Sequence, residues 1–415
     1  MPYVSGGSIR TKYIVETQKK WCDVVVLVSN YKHYKKQTQL GFQYMINEIP
    51  YFICDNNYLL CRKRPLSTLN SWYSIVKFKS FIINVCQKLK PDIIHGHSSY
   101  NTGLPALLAA KHLKLPFIYE LRSITEYSRL ANKVFDAKSM SMSWLRHWEE
   151  YVIKNADAIV CINDGVRHDI MKRGLIRSEN SITIPNGVDT EHFFRKEPNT
   201  LLLKEWNLDG CFTIGMVSPQ YHEGIFFLIN SIGQFFNVFP NDRLIIIGDA
   251  KNQKETEEVK REIIRNGITK NVIFVGRVPF ENMNECYNSI NVFILPRLNT
   301  KENNLVSPLK PLEMMAAERT ILVSDVEGLS SLVRHGETGY IFKAEDSDDL
   351  IDKLIRIRKK TIAGKKIGGN ARKWVIENRS WETVTLAYKN IYEKAMRGRL
   401  HYTVRTRFSD NKVSS

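Results

Sequence analysis

Short apolar runs alternate along the chain with longer stretches whose apolar residues recur every three or four positions, so strands and helices are predicted to take turns. In the first half, strands are predicted over Asp23 to Ser29, within Asn47 to Cys61, from Asp92 through His95 to His97, at Phe117 to Leu121 and at Ala158 to Ile162. Helical periodicity covers Ile9 to Lys20, Leu69 to Leu89, Leu104 to Leu113, most of Tyr127 to Lys154, and Asp164 to Arg173. Ala158 to Ile162 reads as the last strand of this half, and Ser181 to Pro185 leads to a turn at Asn186-Gly187. The second half repeats the scheme, with strands at Thr213 to Val217, Arg243 to Gly248, Val272 to Val275, Val292 to Leu295 and Thr320 to Ser324. Its helices are predicted at Gly224 to Asn237, Thr256 to Asn266, Met283 to Ser289, Asp346 to Lys359 and Gly368 to Arg397. Continuous apolar strands separated by helices belong to parallel sheets covered on both faces. The polar segment Thr190 to Thr200 divides two such α/β halves, giving domains at 1–190 and 200–375, a closing helix at 376–397 and a basic tail at 398–415.

One stretch, Asn291 to Gly339, concentrates the candidate chemistry. Its strand breaks at Pro296 into a polar loop, Arg297 to Ser307, expected to lie over a site, and a helical run carrying Glu313 follows. A second strand then ends in an Asp-Val-Glu-Gly turn. Adjacent strands that each feed a loop and a helix N-terminus present backbone N–H groups where phosphates can sit.

Pro308-Leu309-Lys310-Pro311-Leu312-Glu313 and the following residues to His335-Gly336-Glu337-Thr338-Gly339 resemble the donor-binding region of the GT-B glycosyltransferases, specifically the family 4-like group. The likeness extends through Ser5-Gly6-Gly7, His95-Gly96-His97, Asn155 to Asn163, Ile184 to Asp189, Ile247-Gly248-Asp249 and Gly276 to Pro279. It implies two Rossmann-like doubly wound domains facing a cleft, with the last helix crossing back to the first domain and Trp374 and Trp381 anchoring it there. It also implies a sugar-nucleotide-dependent hexosyltransferase acting on a cell-surface, exopolysaccharide or lipid-linked glycan, with retention of configuration and no metal or other cofactor.

The resemblance assigns roles residue by residue. Glu313 would accept hydrogen bonds from the ribose hydroxyls, two donors matching two carboxylate oxygens. His97, at a strand end, would lie beside the donor sugar and leaving phosphate, and Lys310 and Arg297 would supply phosphate charge. Backbone groups of Gly6, Gly7, Gly224, Ser307, Pro308 and Leu309 would approach the diphosphate, Arg277 and Val278 the nucleobase, and Glu120 and Arg122 the acceptor. His95 is expected in the core, and Asn186 to Asp189 as a turn at the domain exit.

Two positions depart from the family pattern. Leu305 stands where a sugar-contacting glutamate is expected, leaving Glu302 or Asn304 to supply a polar contact, and Glu223 stands where a lysine is expected beside the diphosphate. A third departure concerns the sheet. The glycine-rich Ser5 to Ser8 turn precedes the first helix without the strand that a doubly wound domain places there, so the natural start is expected about 10 to 20 residues upstream, unless the protein is a truncated relic. A catalytically impaired GT-B protein or partner subunit is the alternative reading.

Charge and cysteines refine the picture. The chain of 415 residues carries a net charge of +17, spread over runs such as Lys32 to Lys36, Arg62 to Arg64 and Arg356 to Lys373. Solvated basic faces, attraction to an anionic membrane or lipid-phosphate acceptor, and nucleic-acid binding all accommodate that excess. No nucleic-acid motif accompanies it, so no nucleic-acid partner is expected. Seven cysteines in no paired spacing read as reduced core residues. No apolar run reaches the roughly 18 residues of a membrane span, so the expected place is the cytoplasm, peripheral at the inner face of the membrane.

Overall fold

The computed structural model describes residues 6–29, 37–38, 41–54, 67–131, 136–250 and 252–397. Ser5, the Lys32 to Lys36 and Arg62 to Arg64 runs and the tail 398–415 lie outside them. The chain forms two compact units, 1–185 with 385–415 and 186–384. The change falls before residue 190 and the return begins at Thr385, later than the 376 expected.

Unit 1 contains strands β1 (Val26–Val28), β2 (Gln37–Thr38), β3 (Gly41–Ile46), β4 (Ile49–Ile53), β5 (Ile94–His97), β6 (Phe117–Leu121), β7 (Ala158–Cys161) and β8 (Ser181–Thr183). Its helices are α1 (Gly6–Gln18), α2 (Ser67–Leu89), α3 (Tyr100–Leu113), α4 (Thr125–Ala131), α5 (Met140–Asn155), α6 (Asp164–Lys172) and the segment 387–397. The strands form two separate sheets, ordered β1-β4-β3-β2 and β5-β6-β7-β8. β8 corrects the expectation that Ala158 to Ile162 is the last strand; three residues carry too little pattern to read. The expected Ser5 to Ser8 turn is corrected too, since α1 already begins at Gly6.

Unit 2 contains strands β9 (Thr213–Val217), β10 (Arg243–Ile247), β11 (Val272–Gly276), β12 (Val292–Leu295), β13 (Thr320–Ser324) and β14 (Tyr340–Phe342) in one parallel sheet, ordered β11-β10-β9-β12-β13-β14. Helices α7 (Thr200–Glu205), α8 (Ile225–Val238), α9 (Gln253–Arg265), α10 (Met283–Asn288), α11 (Lys301–Leu305), α12 (Lys310–Ala316), α13 (Glu327–Ser330), α14 (Ser347–Lys359), α15 (Thr361–Arg379) and α16 (Trp381–Thr385) complete it. One apolar cluster, including Tyr287, Phe293 and Leu312, covers one face of the sheet. Another, including Ile214, Leu228 and Ile246, covers the opposite face. Asn252 and Asp346 cap α9 and α14 by accepting from Glu255 N and Asp349 N, which fixes where those helices begin.

The single helix expected from Gly368 to Arg397 is broken. α15 stops before Ser380, which has extended backbone, and Ser380 Oγ bonds Thr383 N to start a new turn. Trp374 packs against the unit 2 core, and Trp381 lies so close to Gly187 that a Cβ there would come within 2.8 Å of the indole.

Candidate functional site

In unit 2 the chain departs in opposite directions from β9 and β12, the switch point where parallel sheets bind ligands beyond their carboxyl ends. The loop after β9 ends in the tight turn Tyr221–Glu223 and in Gly224, whose φ of 83° is left-handed. A Cβ at Gly224 would lie 1.8 Å from the Pro296 carbonyl oxygen, so only glycine lets this loop press against the end of β12. That approach brings Glu223 to Arg297. The guanidinium Nε and Nη2 donate to the two carboxylate oxygens at 2.8 and 2.7 Å, and Nη1 donates to the Val306 carbonyl at 2.9 Å. Burial alone would raise the Glu223 carboxyl, but Arg297 and the neighbouring His222 hold it well below the usual carboxylate range.

Glu223 is neutralised where it stands, so it poses no bare negative charge to a diphosphate. Arg297, 5% exposed, has its Nε and Nη2 engaged by Glu223. The loop Arg297 to Ser307 is also less superficial than its polarity suggested. Asn303 Nδ2 donates to the His222 and Leu298 carbonyls, Arg297, Asn303 and Ser307 are buried, and the Ser307 carbonyl accepts from Asn186 Nδ2 at 2.8 Å. Asn186 is therefore a brace for this loop.

Pro308 and Leu309 lead into α12, which carries Lys310 and Glu313 one turn apart. Glu313 is buried; Tyr287 Oη donates to its Oε2 at 2.7 Å, and Oε1 accepts no hydrogen bond among the described residues. Burial raises its carboxyl, while Tyr287 and Lys310 oppose the rise. Lys310 makes no hydrogen bond or ion pair among the described residues. Burial lowers its ammonium pKa, and nearby Glu223 counters the effect. Leu305 packs inward at 9% exposure. Asn304 is engaged with Asn299, Thr300 and Glu327, whereas Glu302 Oε2 is buried with no hydrogen-bond partner. Gly224 also precedes α8, whose first amides have no intrahelical acceptors. Arg277 and Val278 follow β11, an edge strand; Arg277 is exposed, with Nε 3.9 Å from Asp249 Oδ2.

Unit 1 has its own polar centre. Glu120, on β6, is fully buried. Its Oε1 accepts from Arg10 Nε and Arg122 Nε, both at 2.8 Å, and its Oε2 from Tyr388 Oη at 2.6 Å. Arg10 also donates to the carbonyls of Pro185 and Ile184. Arg122 donates to the Gly7 carbonyl and Thr11 Oγ1, and its Nη2 lies 3.2 Å from His97 Nε2. Burial, then Arg122, lowers the His97 pKa well below its ordinary value, so the ring is neutral near pH 7 and accepts at Nε2. Gly6 and Gly7 form the first turn of α1. His95 Nδ1 is 2.8 Å from Tyr392 Oη.

Glu120 and Arg122, expected on the acceptor side, form a frame beside His97. Arg10, Tyr388 and Tyr287 were not read as site residues. Arg10 had a legible signal: it shares a helix stripe with Ile14 and Gln18, and a charge on a buried stripe calls for a buried partner. Tyr388 had none, because only folding brings it 268 positions back to Glu120.

Two Rossmann-like units, one with its polar cluster at the sheet's switch point, define the GT-B class of fold. Residues 4–192 match the family described as Glycosyltransferase Family 4, and residues 210–360 match Glycosyl transferases group 1. The chain belongs to this family of glycosyltransferases. An uncharacterized glycosyltransferase of Methanocaldococcus jannaschii is 22% identical over 393 residues, 95% of each chain. The capsular polysaccharide biosynthesis glycosyltransferase CapM of Staphylococcus aureus is 25% identical over 346 residues, 80% of this chain and 84% of that one. Among solved structures, Anabaena Alr3699/HepE in complex with UDP-glucose superposes with a TM-score of 0.70 at 17% identity, covering 94% of this chain and 96% of that one.

Proposed function

We propose that this glycosyltransferase moves a hexosyl group from a nucleoside-diphosphate sugar to a cell-surface, exopolysaccharide or lipid-linked glycan, with retention and without a metal ion. The observation that carries the reading is the pair on α12: Lys310 with no partner among the described residues, and Glu313 with one oxygen open. Lys310 is half-buried and makes no hydrogen bond or ion pair among the described residues, and a diphosphate would give its ammonium a charged hydrogen bond. The open oxygen of Glu313 suits a ribose hydroxyl. Glu302, half-buried with its Oε2 unmatched among the described residues, takes the sugar-hydroxyl contact that Leu305 does not make.

In the reaction the bond from the anomeric carbon to the β-phosphate oxygen breaks as a bond to the acceptor oxygen forms on the same face. The acceptor proton passes to the departing phosphate. Lys310 and the first amides of α8 stabilise the charge on the leaving group. The Glu223–Arg297 pair supports activity, because it removes the repulsion from Glu223, one of the grounds for the impaired reading beside Leu305 and the missing first strand. HepE with UDP-glucose supports the donor class, the name of CapM supports a polysaccharide acceptor, and the +17 charge supports an anionic membrane surface as the place of work. No helix among the described residues is long and apolar enough to cross a membrane.

His95, His97 and Glu120 bring three donor atoms within 4.8 Å of one another, a spacing a metal could use. Glu120 is already held by two guanidiniums, however, and a cation there would meet both. The test is release of nucleoside diphosphate from a panel of UDP-, GDP- and ADP-sugars, with and without a chelator. Turnover with one nucleotide class, unchanged by chelation, is expected. Silence across the panel, together with no binding of any nucleoside diphosphate by calorimetry, would overturn the reading.

A further inference from the structure

Tyr287 is fully buried in the apolar cluster shared by α10 and α12. A phenylalanine would fill the same space, so the hydroxyl calls for a polar reason. It donates to Glu313 Oε2 at 2.7 Å. The neighbours hold the ring in that pose. Phe193 and Phe293 pack against it with ring centroids 5.6 and 5.4 Å away, Phe293 edge-on. Phe293 reaches it because β9 carries glycine at 215, where a Cβ would come within 2.5 Å of the Phe293 ring. The helix is pinned on both sides of the tyrosine. Asn284 Oδ1, three residues before it, accepts from Phe194 N at 3.2 Å, and Asn288 Nδ2, one residue after it, donates to the Phe194 carbonyl at 3.0 Å.

The direction of the bond is fixed. Burial, then Glu313, hold the Tyr287 hydroxyl well above its ordinary value, so it keeps its proton and donates. Burial raises the Glu313 carboxyl, and the bond from Tyr287 and then the charge of Lys310 oppose the rise. Among the described residues, the titratable groups that act on Glu313 are Tyr287 from α10 and Lys310 from its own helix, and Glu223 and Arg297 act on Lys310 in turn.

Resting on the donor reading above, we infer that Tyr287 is the positioning residue of the ribose contact: its hydrogen bond aims the Glu313 carboxylate, favours the charged form and leaves Oε1 for the donor's hydroxyls. A packing role would have no such consequence for charge. Without the bond, burial is opposed by Lys310 alone, so the carboxyl takes up its proton at higher pH and the ribose loses a charged acceptor. Loss of one charged hydrogen bond moves that titration up by about one to two pH units.

The test compares Tyr287→Phe with wild type by calorimetry between about pH 6 and about pH 9. The probes are whichever of UDP, GDP and ADP binds tightest, the same nucleotide lacking both ribose hydroxyls, and inorganic pyrophosphate. The affinity ratio of the first two isolates the ribose contact, because phosphate ionisation acts on both alike. In wild type the hydroxyls should be worth about 10- to 150-fold. In Tyr287→Phe the ratio should fall by about fivefold or more near pH 6 and recover near pH 9, its acid fall lying about one to two pH units above that of wild type, while pyrophosphate binds equally. A ratio equal to wild type at every pH would overturn the inference, and so would a uniform loss that includes pyrophosphate, the mark of a packing role. Adding Tyr287→Phe to Glu313→Gln, which leaves no carboxylate to strand, should change the ratio by less than about twofold. A larger fall there would show that the tyrosine acts elsewhere, and it overturns the inference even where the single variant is too unstable to titrate. Equal wild-type affinity for the two nucleotides is a different result: it removes the ribose contact itself, and the role of Tyr287 with it.

Discussion

Replacing Glu120 by glutamine keeps the side chain's shape and removes its charge. The carboxylate is fully buried and bonded to Arg10, Arg122 and Tyr388, while Arg10 is 1% exposed. In Glu120→Gln the buried Arg10 guanidinium loses the carboxylate it pairs with. Breaking a buried pair from one side costs about 3–5 kcal/mol. For a unit of this size each kcal/mol moves the melting temperature by about 2–4 °C, so the unit 1 transition should fall by roughly 6–20 °C. Calorimetry on the full chain at pH 7 would read it, and Arg10→Met combined with Glu120→Gln should recover part of the loss. Acid supplies the sign. Burial would raise this carboxyl, but Arg10 and Arg122 hold it well below the usual range. Its stabilisation is therefore present above the unfolded value of about 4.3 and is lost as pH falls through the folded one. Wild type should lose more stability than Glu120→Gln below about pH 4. A drop under about 2 °C at pH 7 would mean that Arg10 finds other compensation and that Glu120 does not hold the frame.

Three further outcomes are expected. Lys310→Met should weaken nucleoside diphosphate binding about 10- to 150-fold, the equivalent of one charged hydrogen bond, while leaving the bare nucleoside unaffected in calorimetry. Glu302→Gln should lower kcat/KM for the sugar nucleotide with little change in affinity for the free diphosphate; equal losses in both would place Glu302 elsewhere. Burial pushes the Glu149 carboxyl up to about 7, against opposing bonds from Tyr119 and the Tyr100 amide. A raised carboxyl stabilises below its unfolded pKa and loses that contribution as pH rises through the folded one. Urea midpoints should therefore fall between pH 5 and 8 by the equivalent of roughly 3 kcal/mol, and Glu149→Gln should flatten that slope.

The alternation of strands and helices was legible because strands such as Phe117–Leu121 and Thr320–Ser324 are buried on both faces and read as unbroken apolar runs. β8, with three residues and mixed burial, left no such run. The helix that carries Lys310 and Glu313 was legible through the motif that contains it. What their neighbours do was not, because pairings such as Glu223 with Arg297 and Glu120 with Tyr388 depend on which loops fold onto one another. An arginine that binds phosphate and one that neutralises a glutamate look alike in a sequence, and nothing in the sequence pairs Arg297 with Glu223.

The ribose contact proposed for Glu313 is tested most directly by calorimetry of Glu313→Gln with UDP, GDP and ADP. Glutamine can still accept from Tyr287 through its oxygen, so the fold should hold, while the nitrogen it turns outward cannot accept from a ribose hydroxyl. A fall of about 10- to 150-fold in affinity for the preferred nucleoside diphosphate, with an unchanged melting temperature, is predicted. Unchanged affinity for every nucleoside diphosphate would contradict the placing of the donor site.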